Sequence, residues 1–370
     1  MAEVQKIIGL MSGTSLDGID AALVETDGED IARPGPALGL PYAPQMRAVL
    51  RQALDDAQSV AAGGPVPWSI RDAERRLTEA HAEAVRALLD KAGLAPRDVA
   101  LIGFHGQTIL HRAAQRWTWQ IGDGALLARL TGIDVVDDFR SADVKAGGQG
   151  APLVPLYHAA LVRMGTRHDL PVVLVNIGGV SNVTYIAKDL VLAFDTGPGN
   201  APIDDWMQRH SGRPLDENGD VARSGKVNDA ALGKMLASPF FEAAPPKSLD
   251  RMDFDTGRVE GLSPEDGAAT LTAFTAAAIA RAREHFPELP NAWIVCGGGR
   301  RNRTLMDALR ARVNAPVLAA EDAGWNGDFV EAEAFAYLAA RAIKGLPLSL
   351  PTTTGVKAPA TGGKLHRRPA

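Results

Sequence analysis

Cysteine is almost missing from this chain. Cys296 is the one cysteine in 370 residues, so no intramolecular disulfide can form, and a chain without a disulfide framework fits a reducing compartment, with the cytoplasm as the simplest expectation. Long apolar runs are also missing. No stretch approaches the ~18 uninterrupted apolar residues of a spanning helix, and the N-terminus runs into a short apolar strand without an apolar leader, so neither export nor membrane insertion is expected. Nor is there an excess of positive charge: 39 Lys and Arg stand against 44 Asp and Glu, giving a formal net charge of −5 and a pI near 5.9. Nothing therefore draws the whole chain to nucleic acid or anionic membrane, and an anionic ligand must be held by a local site. Lys364, His366, Arg367 and Arg368 near the C-terminus are too few for a phosphate track. Finally, there is no Walker A sequence and no Gly-x-Gly-x-x-Gly opening a helix in the expected place, which disfavours the common P-loop and dinucleotide architectures.

What is present is an ordinary globular balance, 46% hydrophobic and 22% charged, spread over a length that favours two domains. The apolar run at 7–11 breaks into a polar turn and resumes at 19–24, which predicts strand, turn, strand. Helical patterning follows at 43–57 and 69–92, then a buried strand at 99–104 that ends at His105. Further along, 124–130 and 151–164 predict helices and 133–136 a strand, with a boundary at 165–170. The second half repeats the plan: strand 171–177, turn Gly178-Gly179, strand 181–186 and a third strand at 190–194. A helix at 203–210, a polar Gly-rich excursion through Lys247, and a long helix at 264–285 follow. Strand 292–295, helix 303–313, strand 315–318 and helix 328–344 complete the pattern. The expected domains are an N-terminal lobe 1–168, a C-terminal lobe 169–344 and an irregular tail 345–370.

Three glycine-containing turns have the composition for a nucleotide. Glycine lets the backbone approach a phosphate closely and present several N–H groups to it. The first is Gly13-Thr14-Ser15-Leu16-Asp17-Gly18, whose hydroxyls can donate to phosphate oxygens and whose Asp17 can hold a hydrated divalent metal. The second, Asn176-Ile177-Gly178-Gly179-Val180-Ser181-Asn182, stands at the matching place in the second half. Either alone reads equally well as a plain hairpin, and it is the pairing that favours a phosphate clamp. The third, Gly297-Gly298-Gly299, follows a strand and precedes a helix, where a base or a phosphate can lie against bare backbone, although a glycine run is also compatible with a flexible loop.

One acid stands out. Asp195, in Phe194-Asp195-Thr196-Gly197-Pro198-Gly199-Asn200, is expected at a strand end on a turn fixed by proline, a placement that suits a general base. The triplet Asp195-Thr196-Gly197 also occurs in aspartic proteases, but those need two such turns sharing a proton, and Asp255-Thr256-Gly257 sits in a charged stretch instead of at a strand end. His105 and Gln107 after one strand, and Arg140 and Asp143 after another, are candidates to line a polar pocket or are structural groups. Lys226, Lys247 and Arg251 are candidates to meet phosphate or are surface charges. Histidine spacing and the lone cysteine do not suit zinc, whereas magnesium held through water and phosphate does.

Taken in order, MSGTSLDGID at 11–20, GFHGQTI at 103–109, DFRSADVKAGGQGAPLVP at 138–155, NIGGVSNVT at 176–184, FDTGPGN at 194–200 and CGGGRRNRTLM at 296–306 resemble the anhydro-N-acetylmuramic acid kinases. With an acidic segment at Glu331, the resemblance spans about residues 11–337. It implies an α/β fold of two duplicated actin/hexokinase-like, or ribonuclease H-like, domains flanking an ATP/sugar cleft. It also implies ATP, Mg2+ and a homodimer. The implied reaction is hydrolytic opening of a 1,6-anhydro amino sugar with phosphorylation of O6. By resemblance, Asp195 activates the water, Glu331 is a second acid at the sugar, and Gly13, Thr14, Ser15, Leu16, Asp17, Gly18, Ile19 and Asp20 belong to the ATP motif. The segment at 246–251 departs from the Lys-Ser-Thr-Gly-Arg form of many members. Two rival readings use the same residues: an ordinary sugar kinase in which Asp195 deprotonates a hydroxyl, and a sugar or nucleotide sensor without turnover.

Overall fold

The computed structural model describes residues 3–165, 168–249 and 256–369; Arg251 and Asp255 lie outside the described residues. The chain divides into two compact units, one of Met1–Gly165 with Phe329–Ala370 and the other of Thr166–Asp328.

In the first unit, β1 (Gln5–Ser12), β2 (Gly18–Thr26) and β3 (Ala32–Pro41) form an antiparallel meander. The helices α1 (Pro44–Ala57) and α2 (Trp68–Ala92) lead to β4 (Leu101–Arg112), which runs parallel to β1. A hairpin partner β5 (Trp117–Ile121), α3 (Gly124–Thr131) and β6 (Val135–Asp137), parallel to β4, follow; α4 (Ser141–Lys145) and α5 (Pro155–Gly165) complete this stretch. The path across the sheet is β6-β4-β1-β2-β3.

The second unit repeats that path. The strands β7 (Val172–Ile177), β8 (Val180–Ile186) and β9 (Val191–Pro198) again form an antiparallel meander. The helices α6 (Ala201–Ser211), α7 (Asp220–Ser224), α8 (Asp229–Leu236) and α9 (Pro264–Arg281) follow. Then β10 (Ala292–Cys296) runs parallel to β7, and after α10 (Arg303–Arg310) β11 (Val317–Ala319) runs parallel to β10, giving the order β11-β10-β7-β8-β9. The antiparallel strands use short turns, and the parallel ones need helical crossovers. Val173, Val175, Val183, Phe194, Trp293 and Val295 turn one face of this sheet into the core.

Several features differ from the sequence reading. The edge strand β3 was not anticipated, since Pro34, Gly35 and Pro36 suit a loop; pairing with β2 alone makes it a strand. The strand β4 does not end at His105. It bulges there, with Leu10 opposite Phe104 and Ser12 opposite Gln107, and continues because β5 supplies a partner and Gly106 adopts a φ of +71°. The stretch before Lys247 contains α7 and α8.

The helix Val330–Ile343 packs in the first unit, on β1 and β4. Gly9 and Gly103 are register partners in those strands, and a Cβ on Gly9 would stand 1.8 Å from the Ala332 carbonyl oxygen, one on Gly103 2.0 Å from that of Phe335. Two adjacent glycines thus form the bed of this helix. The segment expected to be an irregular tail contributes Pro351–Thr354, a short helix, and Lys364–His366, a strand antiparallel to β6.

Candidate active site

The candidate residues form one cluster in each unit. In the first unit, the turn after β1 leaves Thr14, Ser15 and Asp17 exposed, while Leu16 is buried with a φ of +59° and its amide donates to Gly13 O at 3.1 Å. The turn is pinned from behind: Tyr42 N donates to Asp17 O at 2.9 Å, and the buried Ser12 hydroxyl lies 2.7 Å from Tyr42 Oη and donates to Gln107 Oε1 at 2.6 Å. Hydroxyls and one carboxylate therefore face solvent on a braced loop. Gly18, Ile19 and Asp20 open β2, and Gly18 has no room for a side chain, with Leu40 O 2.3 Å from its would-be Cβ.

His105 and Arg140 form a pair. Arg140 Nε donates to His105 Nε2 at 2.9 Å and Nη1 to Gly150 O at 2.7 Å; His105 Nδ1 lies 2.8 Å from Gly106 O. An imidazole that accepts at Nε2 must be neutral, and burial, reinforced by the Arg140 charge, holds its pKa well below the ordinary value. Burial lowers the Arg140 pKa to about 10, opposed by the charges of Glu331 and Asp143. Glu331 sits half-buried in the first turn of the helix Val330–Ile343, where the helix dipole favours a carboxylate.

Asp143 is buried and occupied: Oδ1 accepts from Gly150 N at 2.6 Å, and Oδ2 from Ser349 Oγ and Thr354 Oγ1, each at 2.5 Å. It ties the 147–150 loop to the 349–354 segment. A cavity of about 260 Å³ in this unit is bordered by His105, Trp119, Gln120 and Asp137, and Gln107, Arg140 and Asp143 are not among its walls.

In the second unit two of the three glycine turns, at Gly178-Gly179 and Gly297–Gly299, meet each other and the Gly199-Asn200 turn. Gly178 O and Gly179 O, on the β7–β8 turn, accept from the amides of Asn200 and Gly199, at 2.7 and 2.9 Å. Gly297 has a φ of +75°, and a Cβ there would meet Asn176 Oδ1 at 2.4 Å; one on Gly299 would meet Ile177 Cγ2 at 2.3 Å. By contrast, Gly178, Gly179 and Gly298 have open space, with no neighbour nearer than 3.6 Å. Behind them, Arg300 pairs with Glu321 at 2.7 Å and Asp328 at 2.8 Å.

Asp195 lies within β9, not beyond its end. A bulge places Asn182 opposite Asp195 and Ser181 opposite Gly197, leaving Thr196 as the extra residue; Gly197, at a φ of +149°, permits it. A segment before the undescribed stretch runs alongside: Asp195 N donates to Lys247 O at 2.9 Å, and Leu249 N donates to Asp195 Oδ2 at 2.8 Å. Burial pushes the Asp195 carboxyl up to about 7, partly offset by that amide.

Lys247, a phosphate candidate in the sequence, is spoken for. Its Nζ donates to Phe240 O at 3.0 Å and sits 4.6 Å from the Phe240 ring centre, so it anchors this segment instead. Lys226 is exposed on the surface.

Sequence reasoning passed over Glu333 and Tyr157. Glu333 is buried, accepts from Tyr157 Oη at 2.8 Å, and is pushed up to about 7 by burial. It stands two residues from Glu331, on an alanine-rich helix where nothing in the sequence marks one glutamate as buried. The Leu249 amide carries no sequence signal at all.

Two sheets, each an antiparallel meander joined to parallel strands in the same order, define the duplicated actin/hexokinase-like α/β class. A family model described as anhydro-N-acetylmuramic acid kinase matches residues 5–367. The anhydro-N-acetylmuramic acid kinase of Bradyrhizobium diazoefficiens is 53% identical over 362 residues, covering 97% of this chain and 98% of that protein. That of Methylobacterium nodulans is 52% identical over 373 residues, covering 98% and 100%. The chain belongs to the anhydro-N-acetylmuramic acid kinase family. Among solved structures, a ROK family glucokinase from Streptomyces griseus in complex with glucose and AMPPNP is similar at a distance, with 17% identity, a TM-score of 0.44, and 91% of this chain and 99% of that chain covered.

Proposed function

We propose that this chain uses ATP to open and phosphorylate 1,6-anhydro-N-acetylmuramic acid, yielding N-acetylmuramic acid 6-phosphate and ADP. Water attacks C1 and loses a proton to Asp195; the C1–O6 bond breaks, and O6 takes the γ-phosphoryl group as ADP leaves. The observation that carries this reading is the carboxyl of Asp195, held by the Leu249 amide and shifted up to about 7, which matches a general base to neutral pH. Phosphoryl transfer asks mainly for positioning and charge neutralisation, and braced glycine turns suit the first.

The proposed ATP contacts are Gly13, Thr14, Ser15, Leu16, Asp17, Gly18, Ile19, Asp20, Asn176, Gly178, Gly179, Gly297, Gly298 and Gly299. The proposed sugar contacts are Glu331, His105, Gln107 and Arg140, with Asp143 acting through the loop it ties. Among the described residues no group of three or more His, Cys, Asp or Glu side chains could hold a metal ion. The exposed Asp17 fits Mg2+ held through water, the ion supplying charge neutralisation on the phosphates. The reading places the enzyme in the cytoplasm, in peptidoglycan recycling, as a homodimer; the family supports these, and no helix among the described residues is long and apolar enough to cross a membrane.

Incubation with ATP, Mg2+ and the anhydro sugar, followed by mass analysis, tests the reading. A ring-opened 6-phosphate with equimolar ADP is expected. Phosphorylation of ordinary hexoses with no action on the anhydro sugar would overturn it.

A further inference from the structure

Asp195 has a neighbour that the reaction described above does not use. Asn182 in β8 is its direct cross-strand partner, and Val183 and Phe194, the next pair along, both point into the core. Side chains alternate between faces along a strand and directly paired residues share one, so Asn182 and Asp195 stand side by side on the face opposite that core.

The Asn182 amide oxygen is unsatisfied: Oδ1 is buried without a hydrogen-bond partner among the described residues. Reversing the amide would place a donor in the same position, so either orientation leaves one buried polar atom unpaired. A buried amide oxygen with no partner costs free energy, and native structures keep few of them without a use. Asp195 itself spends one oxygen on the Leu249 amide, and no hydrogen bond joins it to Asn182. Two adjacent polar side chains on one sheet face, each with an oxygen uncommitted among the described residues and no bond between them, are arranged to share a third group.

We propose that Asn182 is a second contact to the attacking water: Asp195 accepts one of its hydrogens and Asn182 Oδ1 the other. This rests on the reading of Asp195 as the base for water. Holding both hydrogens against the sheet turns an oxygen lone pair outward toward the carbon under attack, which Asp195 alone leaves free to rotate. As the bond to C1 forms, the proton on the Asp195 side passes to the carboxylate. The proton on the Asn182 side stays on oxygen and becomes that of the new C1 hydroxyl.

The test compares the native chain, Asn182→Ala and Asn182→Asp for anhydro-sugar turnover, melting temperature and affinity for a non-hydrolysable ATP analogue. Asn182→Ala is expected to lower kcat about 10- to 100-fold with KM within about twofold, and to leave melting temperature and nucleotide affinity near native. Asn182→Asp keeps the shape and sets a second carboxylate beside Asp195, so the acidic limb of the pH–rate profile should move up by about one unit. Native kcat in Asn182→Ala would overturn the proposal. If that variant does not fold, Asn182→Asp decides: a shifted limb supports the contact, and an unmoved limb with native kcat overturns it. A native chain that never opens the anhydro sugar would instead overturn the parent reading.

Discussion

The Leu249 amide reaches Asp195 Oδ2 across 2.8 Å from 54 residues further along the chain, and it is the bond that sets the direction of the carboxyl. Burial outweighs that bond and raises the pKa to about 7. A base must be ionised to accept a proton, so kcat should fall about tenfold for each unit of pH below that midpoint, and a pH–rate profile of the native chain measures it. Stability runs the other way. Between about 4 and 7 the folded carboxyl keeps a proton that the unfolded chain has released, so this group's contribution to stability is lost as pH rises through that window. Thermal melts of the native chain and Asp195→Asn across pH 5 to 8 should differ in slope accordingly.

Gly9→Ala should destabilise the first unit. The added methyl would meet the Ala332 carbonyl at 1.8 Å, backbone against backbone, with no side chain able to yield. A cost of about 3 kcal/mol, and a melting temperature lower by roughly 5 to 10 °C, is expected from calorimetry.

The glycine turns of the second unit separate structure from binding. Gly297→Ala meets Asn176 and a φ of +75°, so it should lower both melting temperature and nucleotide affinity. Gly298→Ala meets nothing closer than 3.7 Å and should leave melting unchanged. A nucleotide lying against that backbone would nevertheless be pushed away, raising the KM for ATP by about tenfold. An unchanged KM would remove Gly298 from the ATP contacts.

Asp143→Ala removes the acceptor for three donors at once, and those in Gly150, Ser349 and Thr354 lose it together. Loss of about 3 kcal/mol or more is expected in denaturant titrations. A sugar-binding defect without destabilisation would return Asp143 to the pocket.

Much of the fold was legible because the alternating apolar strands and the two glycine turns recur in the same order in both halves. Features set by long-range contact were not. The stretch 32–41, with Pro34, Gly35 and Pro36, carries no strand pattern of its own and becomes a strand by pairing with β2, and the unit to which helix Val330–Ile343 belongs depends on the close approach that Gly9 and Gly103 permit. Among the candidate residues, Asp195 is singled out by its motif alone, whereas its strand context, the Leu249 amide and the occupied state of Asp143 and Lys247 depend on partners distant in sequence.

The most direct measurement is turnover of 1,6-anhydro-N-acetylmuramic acid with ATP and Mg2+ in oxygen-18 water, by the native chain and Asp195→Asn, with mass analysis of the products. The account predicts one solvent oxygen at C1 of the sugar 6-phosphate from the native chain, and loss of that product in the variant while the fold is kept. ADP release without a labelled ring-opened product, or full activity in Asp195→Asn, would contradict it.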